Sequence, residues 1–181
     1  MNWTVGTILH FNAIQFEEPA TATRPAERNK FFVVLRNMGQ EVVVACLPTK
    51  VDRIPESVEQ IHGCNDYPTG GWTAYMFEAR KPITTNGWSF SIRTYMYGFG
   101  VRAYNGRVLS TNHPRVGVDR QVKGRLTADE FAALIACLGR SVDIKQNMRS
   151  ALEGAVYDGP DRSDLVGEPS PSYGSSGESQ G

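Results

Sequence analysis

Residues 30–47, KFFVVLRNMGQEVVVACL, constrain the fold more than any other stretch of this chain. Two apolar runs of strand length, KFFVVLR (30–36) and EVVVACL (41–47), flank Asn37-Met38-Gly39-Gln40. Neither run alternates between apolar and polar side chains. Successive side chains of a strand point to opposite faces, so a strand wet on one face alternates and a fully buried one reads as a continuous apolar run. The glycine between the runs permits the positive φ of a tight turn. The stretch predicts a β-hairpin built from buried strands.

Further strands are predicted at VGTILHF (5–11), WTAYMFEA (72–79) and WSFSIRTYMY (88–97), where aromatic and branched residues concentrate. Lys81-Pro82 and Asn86-Gly87 mark turns between the last two. VRAYNGRVLST (101–111) carries a central Asn105-Gly106 and predicts a second, short hairpin. Residues 12–29 hold two prolines and no clear period, and a loop of that length is usually functional or mobile.

The pattern changes over residues 124–152, which read as helix. Thr127 fits an N-cap, accepting from the Glu130 amide, with the Glu130 side chain reaching back to the Thr127 amide. Leu126 and Phe131 hold the positions of a hydrophobic staple. Phe131, Leu134, Ile135 and Leu138 share one face. Gly139 can end this helix, and Ile144, Met148 and Leu152 predict a further turn or two. Strands first, helix last and short links predict a mainly β domain over residues 1–157: a small antiparallel barrel or strongly bent sheet closed by a C-terminal helix.

Residues 158–181, rich in Gly, Ser, Pro and acids, have almost nothing to bury and are expected to be disordered. The whole chain has a formal net charge of zero, yet setting this tail aside leaves 18 basic and 14 acidic residues. That excess permits an anionic partner without demanding one. No run is long and apolar enough to cross a membrane, and the N-terminus does not resemble a signal peptide. Cys46, Cys64 and Cys137 are odd in number and widely spaced. They suggest a reducing compartment, no disulfide framework and a cytoplasmic protein.

The order of features resembles the PemK/MazF-like toxins. The similarity lies in Gly6 in an opening strand, Arg28-Asn29-Lys30 before Phe31–Leu35, Leu47-Pro48-Thr49-Lys50 after Val42–Ala45, and GRLTADEFAALIACLG near the end. It covers about residues 3–140, in short motifs. It implies an SH3-like β-barrel, metal-independent cleavage of single-stranded RNA, a homodimer and a neutralising antitoxin. Typical members open the second strand with arginine followed by proline, where this chain has Lys30-Phe31. The serine that usually follows the threonine is Lys50 here.

RNA cleavage by its own 2′-hydroxyl needs a base, an acid and charge stabilisation at the phosphorane, and no metal or other cofactor. Carried over by resemblance, Thr49 donates to a phosphate oxygen, while Arg28 or Lys30 neutralises charge or moves the proton. Arg24, Lys50 and Arg53 are candidates to position RNA phosphates. Tyr67, Trp72 and Tyr95 read first as core residues and second as stacking platforms. His62-Gly63-Cys64 has no matching ligand pair elsewhere, so no metal site is expected. The rival expectation is a non-catalytic module on the same barrel, binding RNA or a protein, in a defence locus.

Overall fold

The computed structural model describes residues 3–14, 28–47, 60–67 and 70–157. Its elements are β1 (Thr7–Ile14), β2 (Arg28–Met38), β3 (Glu41–Cys46), β4 (Gly63–Tyr67), β5 (Trp72–Phe77), β6 (Thr94–Tyr97), β7 (Val101–Asn105), α1 (Gly106–Asn112), β8 (Arg120–Arg125), α2 (Ala128–Arg140) and α3 (Gln146–Glu153). The protein is mainly β, with two antiparallel sheets. One has the order β7-β3-β2-β1-β8, the other β4-β5-β6. Among the described residues neither sheet closes into a barrel. The expected tail, residues 158–181, lies outside the described residues.

The β2–β3 hairpin is at the centre of the larger sheet, paired from Phe32↔Cys46 to Met38↔Glu41. Gly39 takes φ +83° in its turn, as the sequence requires. The continuous apolar runs have a plain cause: both faces of the hairpin are buried. Val33, Leu35, Val43 and Ala45 face the main core, shared with Tyr75, Phe77 and Met96 of the second sheet and with Phe131, Leu134 and Leu138 of α2. Phe32, Val34, Val42 and Val44 face a second cluster containing Trp3, Leu9, Phe11 and Leu109. Tyr67 and Tyr95, with Trp72 packed against them, form a third cluster on the smaller sheet and belong to the core.

Several sequence-based expectations need correction. Asn105-Gly106 does not turn a hairpin; it starts α1. The Asn105 side chain accepts from the Arg107 and Val108 amides at 3.0 and 3.1 Å, so the same residue that favours a turn serves as an N-cap. Only Thr94–Tyr97 of the run 88–97 is strand. Trp88 and Phe90 leave the ladder to pack their rings on Phe31, with centroids 6.0 and 5.5 Å away. Their backbones close a loop instead, through Ile83 N–H to Trp88 O and Arg80 N–H to Phe90 O. β4 and β8 carry too few apolar residues to be read as strands. β8 is an edge strand, and its Val122 is exposed.

The late helices follow the sequence from Ala128 onward, whereas Gly124 and Arg125, expected to be helical, end β8. The Glu130 amide donates to Thr127 Oγ1 at 3.3 Å, as an N-cap should, and the helix runs one residue past Gly139 before Ser141 caps it. Ile144 and Leu152 are buried around α3.

A turn of 3₁₀ helix, Gly98–Gly100, joins β6 to β7. A Cβ at Gly100 would stand 2.6 Å from the Cys46 carbonyl oxygen, a backbone atom that cannot swing away. Gly100→Ala is expected to destabilise the protein by about 2 kcal/mol, an overpacking cost, read as a lower urea midpoint at unchanged slope.

Candidate functional site

The exit of β3 is where the sequence places the site. The Leu47 amide donates to Phe31 O at 3.0 Å, and Lys30 Nζ donates to Leu47 O at 3.2 Å. An ammonium from the start of β2 therefore sits at the last described residue before Pro48-Thr49-Lys50. Thr49, Lys50, Arg53 and Arg24 lie outside the described residues. Arg28 begins β2 opposite Ile14 of β1, and its side chain is not among those described.

Three side chains not assigned to the site from the sequence join Lys30 here. Cys46 Sγ lies 4.0 Å from Tyr104 Oη, bringing β3 and β7 together across the sheet. Arg102, exposed on β7 opposite Val44, acts with Lys30 on the Cys46 thiol. Burial is the larger influence and pushes that thiol up to about 12, against the opposing pull of Tyr104, Arg102 and Lys30. Burial also raises the Tyr104 phenol, helped by Cys46 and opposed by Arg102. At neutral pH both groups keep their protons. The described part of this rim thus offers two cations, a neutral thiol and a neutral phenol, which suits holding an anion. It offers no base.

A second polar group joins β4 and β5 to α2. Tyr75 Oη donates to Glu130 Oε1 at 2.8 Å, and His62 Nε2 lies 3.1 Å from Glu130 Oε2. The Glu78 amide donates to His62 Nδ1 at 3.2 Å. That bond makes Nδ1 the acceptor, so the proton sits on Nε2 and is given to the carboxylate. Both imidazole nitrogens and both carboxylate oxygens are committed. The expected return of the Glu130 side chain to the Thr127 amide does not occur, and that amide donates to Ile83 O instead. His62 and Glu130 form a seam between sheet and helix, with each imidazole nitrogen and each carboxylate oxygen already in a hydrogen bond.

The same seam holds a disulfide, Cys64–Cys137, which corrects the expectation of unpaired cysteines. The residues are 73 apart in sequence, and only the packing of α2 on β4 brings their Cα atoms to 5.4 Å. Cys46 alone is free. The cytoplasmic expectation loses the cysteine argument on which it partly stood. Among the described residues, no helix is long and apolar enough to cross a membrane, and no three His, Cys, Asp or Glu side chains group to hold a metal ion. No family model, curated protein or solved structure matches the chain.

The protonated thiol and phenols make alkaline stability a direct readout of this geometry. Burial, then the hydrogen bond and charge of Glu130, also raise the Tyr75 phenol. As pH rises past the ordinary values of 9.0 for Cys46 and 10.0 for the tyrosines, the unfolded chain releases protons that the native chain retains. Stability then falls, by about 1.4 kcal/mol per pH unit for each group involved. Urea melts between pH 8 and 11 should show this decline, and a flat profile would contradict the burial of these groups.

Proposed function

We propose that this protein is a PemK/MazF-like endoribonuclease that cuts single-stranded RNA without a metal, as the toxin of a toxin–antitoxin pair. The observation that supports this most is Lys30 Nζ at the Leu47 carbonyl, where β3 leads into Thr49, with Arg102 acting alongside Lys30 on the Cys46 thiol. In this reading the bent sheets correspond to an SH3-like barrel and α2 to its closing helix. A second copy of the chain and an antitoxin complete the assembly, in the cytoplasm. Thr49 holds a phosphate oxygen, and Arg28 or Lys30 meets the charge developing on the phosphorane. Arg24, Lys50 and Arg53 guide the strand. Arg102 joins them as a phosphate contact that the sequence pattern did not single out.

One observation favours the non-catalytic alternative, a module that binds RNA or a protein without cutting. Lys30 is already bonded to a backbone carbonyl, and the adjacent thiol and phenol are protonated. Lysine also lacks the planar fork that arginine offers a phosphate. Labelled RNA incubated with the protein in EDTA separates the two. Cleavage should give 2′,3′-cyclic phosphate ends, and Thr49→Ala should slow it by about 100-fold, the size of a lost oxyanion donor. Binding without fragments, weakening with salt and losing about 0.7 of log–log slope in Lys30→Gln or Arg102→Gln, supports the binding module. The absence of both fragments and salt-sensitive binding would dismiss RNA as the ligand.

A further inference from the structure

The Cys64–Cys137 bond is asymmetric. Cys137, on α2, is sealed at 0% exposure, whereas Cys64 on β4 is half-buried. Arg140 Nη2, one helical turn beyond Cys137, lies 3.1 Å from Cys64 Sγ and 3.5 Å from Asp66 Oδ2. Asp66 is itself positioned by Thr73 Oγ1, which donates to its other oxygen at 2.8 Å. A guanidinium aimed at one sulfur does little for a neutral disulfide. It does much for a thiolate, which is the form a cysteine takes when exchange opens the bond.

We propose that Cys64 is a thiol–disulfide exchange site, opened by an exogenous dithiol, with Arg140 stabilising the Cys64 thiolate that results. Access dictates the direction. A thiolate of the dithiol bonds to Cys64 Sγ as the Cys64–Cys137 bond breaks, and Cys137 leaves and takes up a proton. The second thiol of the reagent, deprotonated, attacks its own first sulfur. This closes the reagent's disulfide and releases the Cys64 thiolate beside Arg140. The protein disulfide gains two electrons and the dithiol loses two. α2 can keep its place meanwhile, because Phe131, Leu134 and Leu138 remain in the core and Glu130 still binds Tyr75 and His62. In sequence, β4 follows the stretch carrying Thr49, Lys50 and Arg53. Any effect of exchange on RNA therefore rests on the function proposed above; the exchange itself does not.

The test uses the oxidised full chain and dithiothreitol at pH 7, with circular dichroism to follow the fold. Free thiols are trapped with iodoacetamide and mapped by peptide mass spectrometry. The bond should open while the folded signal persists, and Cys64 should be alkylated at least about tenfold faster than Cys137. Cys46, its thiol pushed up to about 12, serves as the slow internal control. Arg140→Gln should slow Cys64 alkylation about three- to tenfold and leave Cys46 unchanged, a thiolate's lower intrinsic nucleophilicity offsetting part of the gain in its population. Cys137→Ser frees Cys64 without any reductant and must show the same dependence on Arg140. Opening only with loss of the folded signal, equal rates at Cys64 and Cys137, or indifference to Arg140→Gln would each overturn the proposal. None of these readouts involves RNA.

Discussion

Replacing Cys64 and Cys137 together by alanine is expected to cost about 4 kcal/mol, from the loop-closure entropy a disulfide removes from the unfolded chain. The bond spans 73 residues and ties β4 to α2, elements with no covalent neighbour in common. Closing so long a loop without it falls on the folding equilibrium itself. For a chain of this size, 1 kcal/mol moves the thermal midpoint by about 2–4 °C, so a fall of about 8–16 °C is expected. Reduction of the unmutated protein should give nearly the same fall. A larger loss in the alanine variant reports packing at Cys137, which is fully enclosed in the main core. A change below about 1 kcal/mol in both experiments would mean that the loop is already closed in the unfolded ensemble, or that the bond does not form.

The parts of the fold legible in the sequence are those whose burial is set by their own residues. The 30–47 hairpin announces itself because both its faces are covered, which leaves two unbroken apolar runs around a glycine turn. α2 is legible because Thr127 and the spacing of Phe131, Leu134 and Leu138 are local signals. The remainder depends on neighbours. Asn105-Gly106 suits a hairpin turn and a helix start equally well by its own chemistry. What decides is the Gln40 carbonyl, which takes the Gly106 amide at 2.9 Å, and Trp3, whose Nε1 would stand 2.7 Å from a Cβ at Gly106. β8 is written in arginine, lysine and glutamine, as suits a sheet edge that must not pair with another chain.

The candidate site divides the same way. Lys30 was legible because it precedes an apolar strand, and the fold brings it to the β3 exit. Arg102 was not, since nothing in VRAYN distinguishes it from any surface arginine on an edge strand. Cys64 and Cys137 carry no mark of their pairing, because a partner 73 residues away is chosen by topology. Glu130 shows the limit most clearly. Its position three residues after Thr127 is a sound capping signal that points to a local partner, yet the side chain has two distant ones.

Glu130→Ala should therefore cost about 3 kcal/mol, well beyond the ~1 kcal/mol of a lost helix cap, because it strands two donors aimed at one carboxylate. Tyr75 is 1% exposed, so its hydroxyl has no access to water as a substitute. The Nε2–H of His62 cannot turn acceptor, since Nδ1 is already taken by the Glu78 amide. Glu130→Gln tells the two roles apart. A capping box accepts glutamine almost as well as glutamate. In the seam, glutamine can offer its oxygen to His62 and its amide to the Tyr75 hydroxyl, but both bonds lose their charge, at a cost of about 1–1.5 kcal/mol. The double-mutant cycle with Tyr75→Phe is decisive. Two groups joined by a 2.8 Å charge-assisted bond should couple by more than about 1 kcal/mol, measured by urea denaturation of the four proteins. A coupling under about 0.5 kcal/mol would mean that the Tyr75–Glu130 bond adds little to the hold of α2 on β5.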